Sequence, residues 1–443
     1  MSPPKHRFQD FCSRAKSVAG ILFSLSLSSA VFGADESESP EGIETSVNGR
    51  PALHGPRLFT DGPRPLLRRL QRTDGEANSS LVASDVGNPD ESPHPVLDKI
   101  WSWPVLYQNY DNPYIQEVSL LGRYHGQYYA TSSDQGSVSG WDSRRSRIGL
   151  RTIFLNNFTL ASSFNFDTDS GGLGLSNVID KENLDTLTLA WKPSDEFQVV
   201  IGQQKPGFIY EYDISSNEIL TFERSLIVNQ LAPDKSPGIS IEGKFRDFFY
   251  EVGGYSGNEL GDDFGDGFAL LKLGYDFSGL SDFEKMNAQF YYFHNSSAVS
   301  PNTASYHNAV SLSLAMQEGP FAGIVQTVFA NGYGRVSDSW GLTVMPSAYL
   351  KEDKLQLVGR YQFARSSAPN GLQAQNRYEQ DVPFITNGGR GEKYHAAYLG
   401  LNWYLYGRRL KVMNGVEYSH MDGGSDGGDF SGWTLFSGLR LHF

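Results

Sequence analysis

From residue 100 onward, apolar and polar residues alternate with a period of two in segment after segment, and clusters of Gly, Asp, Asn, Ser and Pro separate the segments. In the final segment Trp433, Leu435, Leu439, Leu441 and Phe443 fall on one face. Thr434, Gly438, Arg440 and His442 fall on the other, and Phe436 breaks the rule. At 354–365, Leu355, Leu357, Tyr361 and Phe363 oppose Gln356, Arg360 and Gln362; at 184–193, Leu187, Leu189 and Trp191 oppose Thr186, Thr188 and Lys192. Successive side chains of a strand point to opposite faces, so these segments are strands with one greasy and one wet face. About sixteen of them have the length of a tilted membrane strand. They lie near 116–130, 141–155, 157–168, 184–193, 196–204, 237–246, 247–257, 268–277, 285–295, 306–316, 320–331, 339–351, 354–365, 393–405, 409–420 and 431–443.

The connections carry as much information as the strands. Short turns such as Asn156-Asn157, Arg246-Asp247, Glu352-Asp353 and Gly407-Arg408 alternate with long polar stretches at 169–183, 205–236, 258–267, 296–305, 366–392 and 421–430. Short on one rim and long on the other is the asymmetry of an outer-membrane barrel. A sandwich needs no such alternation, and a propeller would repeat a motif every 40–50 residues or so, which is not found. The aromatic residues Tyr128, Trp141, Trp191, Trp403 and Trp433 sit towards strand ends, as an interfacial girdle would. The expected fold is therefore all-β: a transmembrane antiparallel barrel of about sixteen strands over 100–443, preceded by a disordered segment.

Composition narrows the reading further. The 443 residues carry 37 Lys+Arg against 50 Asp+Glu, a net charge of −13, with a single cysteine. An acidic chain is a poor nucleic-acid partner, and one thiol builds neither a disulfide scaffold nor a thiolate metal site. Residues 1–33 read as a signal peptide: Lys5, Arg7, Arg14 and Lys16 precede an apolar stretch from Val18 to Phe32, with small residues at Gly33 and Ala34. Residues 34–99 are rich in Pro, Gly, Ser and acidic groups and read as a disordered linker, with one possible short helix at 65–72.

Several ordered stretches resemble the phosphate-selective porin O and P family of bacterial outer membranes. They are Arg144-Arg145-Ser146-Arg147-Ile148-Gly149-Leu150-Arg151, Ile201-Gly202-Gln203-Gln204-Lys205-Pro206-Gly207-Phe208, and Phe222-Glu223-Arg224-Ser225 with Leu231-Ala232-Pro233. Leu399 to Leu405 and the closing Leu439-Arg440-Leu441-His442-Phe443 complete the set. The resemblance spans about residues 116–443. It implies a sixteen-stranded, trimeric channel in the outer membrane for passive diffusion of small ions, and a long loop, here 205–236, folded inward to narrow the pore. It also implies that the terminal Phe443 carries the assembly signal.

Alternation places Arg145, Arg147 and Arg151 on one face of the second strand, opposite Ile148, Leu150 and Phe154. An arginine at the bilayer midplane costs about 2–4 kcal/mol on the lipid side, so this ladder points into the lumen. Arg123 and His125 share the inward face of the first strand; Lys205 starts the inward loop, either facing the pore or anchoring the loop, and Arg224 within it, paired with Glu223 or clamping the loop, is a constriction candidate. Rings of Arg or Lys are what an anion pathway uses, and the expected permeants are small inorganic anions such as phosphate. The competing reading is that these arginines pair with lumen carboxylates (Glu117, Glu242, Glu251, Glu417) and stiffen the wall. The acidic excess does not decide the matter, because charges on loop tips such as Asp262 and Asp429 are screened beyond about 8–10 Å. A general or cation-preferring porin is the alternative function, ahead of a surface adhesin or a barrel enzyme. No H-E-x-x-H, G-x-S-x-G or P-loop occurs, and the histidines are scattered, so neither enzyme activity, cofactor nor metal is expected. The remaining partner is outer-membrane lipid.

Overall fold

The computed structural model describes residues 95–166, 183–258, 260–262, 266–296, 306–333, 336–375, 377–423 and 428–443. The expected signal at 1–33, the short helix at 65–72 and nearly all of the 34–99 linker lie outside these residues.

Sixteen strands form the wall. The first five are β1 (Ile115–Ser133), β2 (Gly136–Phe154), β3 (Phe158–Asn165), β4 (Leu184–Trp191) and β5 (Gln198–Gln204). Then follow β6 (Ser236–Phe245), β7 (Phe248–Ser256), β8 (Gly267–Asp276), β9 (Lys285–Asn295), β10 (Tyr306–Glu318) and β11 (Phe321–Gly332). The last are β12 (Ser339–Lys351), β13 (Leu355–Ser366), β14 (Lys393–Tyr406), β15 (Leu410–Asp422) and β16 (Phe430–His442). Each pairs antiparallel with the next, and β16 returns to β1 through pairs such as Leu435 with Ala130 and Arg440 with His125. Closure removes every edge, which lets a sheet stand in a medium offering no hydrogen bonds.

The alternation survives in three dimensions. Trp141, Trp403 and Trp433 are each more than half exposed on the outer face (59, 57 and 56 %), and Ile201, Leu399 and Leu435 lie bare beside them. The sequence neighbours Asn402 and Thr434 are buried inside. The tight turns that the sequence predicts lie on one rim, where Gly319 and Gly407 adopt the positive φ such reversals demand. One difference from the sequence reading stands out: β1 and β2 run on to meet at Asp134-Gln135, where a ten-residue gap was expected. The small residues of 131–140 hide the period there, since Ser and Gly suit either face.

Two segments complete the barrel. Helix α1 (Pro95–Ser102), opened by a proline at a position where no N–H is required, leads into a short strand Val105–Gln108. That strand pairs with β1 at Val118 and Ser119, beyond the point where β16 stops opposite Arg123. It thus continues the sheet across the closing seam. Trp101 Nε1 donates to the His442 carbonyl (2.7 Å), and the Trp103 ring lies 5.5 Å from that of Phe443. The second segment, 205–235, leaves β5 and folds into the lumen as two short helices, α2 (Tyr210–Asp213) and α3 (Leu226–Leu231). Its apolar side chains Phe208, Ile209, Leu226, Ile227 and Val228 are fully buried against inward residues of β8 to β13.

Candidate pore constriction

The constriction begins with an irregularity in β2. Arg123 pairs with Arg147 and His125 with Arg145, but Gly126 faces Ser143, so Arg144 is an extra residue. This β-bulge turns Arg144 inward beside Arg145. Arg144 forms an ion pair with Glu223 of the inward loop. Burial alone would raise the Glu223 carboxyl, but the adjacent Arg144, with Arg145 and Arg377, pulls it well below the usual carboxylate range.

Further along the same wall, Arg147 pairs with Asp185 (2.8 Å) and donates to Asn165 (2.8 Å), while Arg151 pairs with Glu117 (2.7 Å). Asp185 also holds Lys235, at the foot of β6 (2.5 Å). Arg123 Nη1 donates to Ser216 Oγ (2.6 Å). Arg123, Arg144, Arg147, Arg151 and Lys235 are all half-buried, so they form a basic arc that keeps contact with solvent along β1–β6.

Across the lumen the loop is pinned by wall side chains. Arg360 on β13 bridges Glu211 (3.2 Å) and Glu417 (2.8 Å) and donates to the Glu223 carbonyl (2.6 Å). Lys272 on β8 pairs with Asp213 and, at 3.6 Å, with Glu251. Gln326 and Gln362 accept from the backbone N–H groups of Glu211 and Leu226. Phe222 stacks on Phe436, so the one residue that broke the alternation of β16 is a seat for the loop. The connection between β13 and β14 also folds inward. Its Tyr378 accepts from Gln127 (2.6 Å) and donates to Glu223 (3.2 Å), and its Gln375 donates to the Arg224 carbonyl (3.0 Å).

The sequence candidates therefore separate into groups. Arg123, Arg147 and Arg151 lie together on the arc. Arg145 and His125 are buried beneath the loop. Lys205 donates to the carbonyls of Asp213 and Ile214 (both 3.1 Å), and Arg224 to those of Glu211, Tyr212 and Ile214, so both brace the loop from within. Phe443 joins Gly122 by a pair of backbone hydrogen bonds of 3.0 Å at the seam. Pairing to lumen carboxylates occurs at Glu117, Glu251 and Glu417, though the partners of the last two, Lys272 and Arg360, were not singled out. Arg144, Lys235, Asp185, Lys411 and Arg440 were also missed. Arg440 and Lys411 occupy plain inward positions of their strands, and that alternation was the available signal.

A closed sixteen-strand wall, an apolar outer face and a charged lumen narrowed by an inward loop define an outer-membrane porin barrel. The sequence model of the phosphate-selective porin O and P family matches residues 118–273, which run from β1 to β8 and include the whole inward loop. The resemblance drawn from the sequence is borne out over that stretch, and the chain is a porin of the bacterial outer membrane. Among solved structures, an anion-selective porin from Comamonas acidovorans is similar with a TM-score of 0.51 and 14 % identity, over 74 % of this chain and 99 % of that one. A loop-deletion form of OmpT from Vibrio cholerae gives 0.49 and 16 % over 74 and 99 %, and OprB of Pseudomonas putida 0.49 and 10 % over 74 and 94 %. No curated protein sequence matches the chain.

Proposed function

We propose that the channel passes small inorganic anions, phosphate among them, in preference to cations. The observation that carries this is the half-buried arc itself: Arg123, Arg144, Arg147, Arg151 and Lys235 gather five cationic side chains in contact with solvent beside the inward loop. Asp185 is shared between two cations. Fixed positive charge at a narrow point raises the local anion concentration, and guanidinium N–H groups replace part of the ion's hydration. A unit charge about 6 Å from an ion in water contributes about 0.7 kcal/mol, or roughly threefold in permeability. The reversal potential in planar bilayers under a KCl gradient tests the reading, with an anion-biased potential expected. Replacing Arg147 and Arg151 together by Gln should move the permeability ratio towards cations by about threefold per charge. A cation-biased wild-type potential would favour the general or cation-preferring alternative.

We also infer that the barrel works as a homotrimer set in outer-membrane lipid. Strands β3, β4 and β5 have only 8, 8 and 7 residues, fewer than the 9–11 or so that a tilted strand needs to cross the hydrocarbon core. A low stretch of wall is better covered by another copy than by lipid.

A further inference from the structure

Lys411 on β15, Arg440 on β16, His125 on β1 and Arg145 on β2 stand directly opposite one another in register across four consecutive strands. All four point inward, and all are at least nine-tenths buried, at 1, 1, 0 and 9 % exposure. The row spans the closing seam and lies under segment 219–223 of the inward loop. Lys411 Nζ donates to the Ile219 carbonyl (2.7 Å), and Arg440 Nη2 to the Phe222 carbonyl (3.0 Å) and Gln127 Oε1 (2.9 Å). Five further nitrogens of the row have no such partner. Arg440 Nε and Nη1, Arg145 Nη1 and both ring nitrogens of His125 are buried without a hydrogen bond. Among the described residues no carboxylate lies within 4.0 Å of Arg145, Lys411 or Arg440, in contrast to the paired cations Arg144, Arg147 and Arg151 elsewhere on β2.

A buried cation without a counter-charge is strongly unfavourable, and three in one row repel one another as well. The nearest carboxylates, Glu223 and Glu218 of the inward loop, attract the row only from beyond ion-pair distance and are themselves paired with Arg144 and Arg408. The free donors are guanidinium and imidazole N–H groups, whose fork geometry matches an acceptor carrying several oxygens. We propose that this row holds a resident oxyanion of the phosphate or sulfate class, which fastens segment 219–223 of the inward loop to the seam. The ion is structural. It sits under Phe222, whose ring is stacked on Phe436, and is set apart from the solvent-contacting arc along which permeation is proposed. The seam row and the selectivity of the arc are separate properties, and a failed selectivity reading leaves this site untouched.

The test uses the full chain refolded in detergent without phospholipid, so that no lipid headgroup can supply the phosphate. Inorganic phosphate should raise the midpoint of heat unfolding by about 5 °C over chloride at matched ionic strength. Lys411→Met and Arg440→Gln should each lose that increment, whereas Arg147→Gln should keep it. An equal midpoint in the two salts for the wild type, with Arg440→Gln raising the midpoint in chloride by relief of repulsion, would overturn the proposal. Should the variants fail to fold, the wild type suffices: desalted protein, once denatured, should release about one phosphate per chain, and release of none contradicts the site. Phosphate recovered from membrane-extracted protein but never from the refolded chain would assign the row to a lipid headgroup and defeat the resident free ion.

Discussion

Gly202 shows how a single residue sets the wall beside the constriction. Its φ is +121°, and a Cβ there would lie 2.1 Å from the Leu187 carbonyl oxygen of β4. Any side chain must therefore push the two strands apart at the point where the chain turns into the inward loop. Gly202→Ala should cost about 2 kcal/mol or more, read as a lower temperature for conversion of the compact barrel to the unfolded form in detergent. Glycine in the Ile201-Gly202-Gln203 stretch was visible in the sequence; the requirement for it was not, because it depends on a neighbour fifteen residues back. The same holds for the charges. Arg145, Arg147 and Arg151 could be turned inward by counting in twos. Arg144 could not, since it is itself the extra residue of the bulge and falls outside the count. Lys411 and Arg440 also alternate correctly, yet their meeting with His125 depends on register between strands about three hundred residues apart.

At the scale of elements, long strands were legible because their outer faces must be apolar over their whole length. What the connections do was less so. The 205–236 loop is expected inside on resemblance and 366–392 reads as one more external loop, yet its Gln375 and Tyr378 bond to the first loop. A polar, Gly-containing stretch has the same composition whether it faces water outside or plugs a wet lumen. Glu379 in this second loop accepts from Tyr394 Oη (2.6 Å) and the Gln375 backbone N–H (2.8 Å). Burial pushes its carboxyl up to about 7, with the like charge of Glu417 adding to the rise while Ser419, Tyr394 and Gln375 oppose it. Released into water, the group would return to about 4.5. The docked loop therefore retains a proton that the free loop gives up, and docking weakens as pH climbs from about 4.5 to about 7, remaining weakest above that. The difference is on the order of 3 kcal/mol. Cleavage of the 367–392 loop by added protease should be faster at pH 8 than at pH 5, and Glu379→Gln should flatten the dependence. Equal rates at both pH values in the wild type would show that the loop does not respond to this carboxyl.

For the whole molecule, the uneven height of the wall has an assembly consequence. Strands β10 to β16 have 12 to 14 residues, whereas β3 to β5 fall to 7 and 8. Mild cross-linking in detergent should yield a ladder ending at three chains, and cysteines placed at Leu160 or Leu189 on the low side should join neighbouring copies. Cross-links confined to the tall side, or a single-chain species throughout, would argue against the trimer. Closure itself was legible, since an even set of one-sided strands in a membrane has no other way to end. The strap at 95–108 was not: its apolar residues carry no alternation of two, and they acquire a role when the last strand arrives beside them.

That strap ties the beginning of the described chain to its final residue. Trp101 holds the carbonyl of His442 and Trp103 leans on Phe443, so the earliest anchoring contacts cannot form until the very last residues have been delivered. A chain missing its final dozen residues would lose far more than one stave of sixteen. The hoop would stay open, β1 and β15 would both show bare backbone, and the strap would have nothing to grip. The vessel is finished by its last stave or not at all.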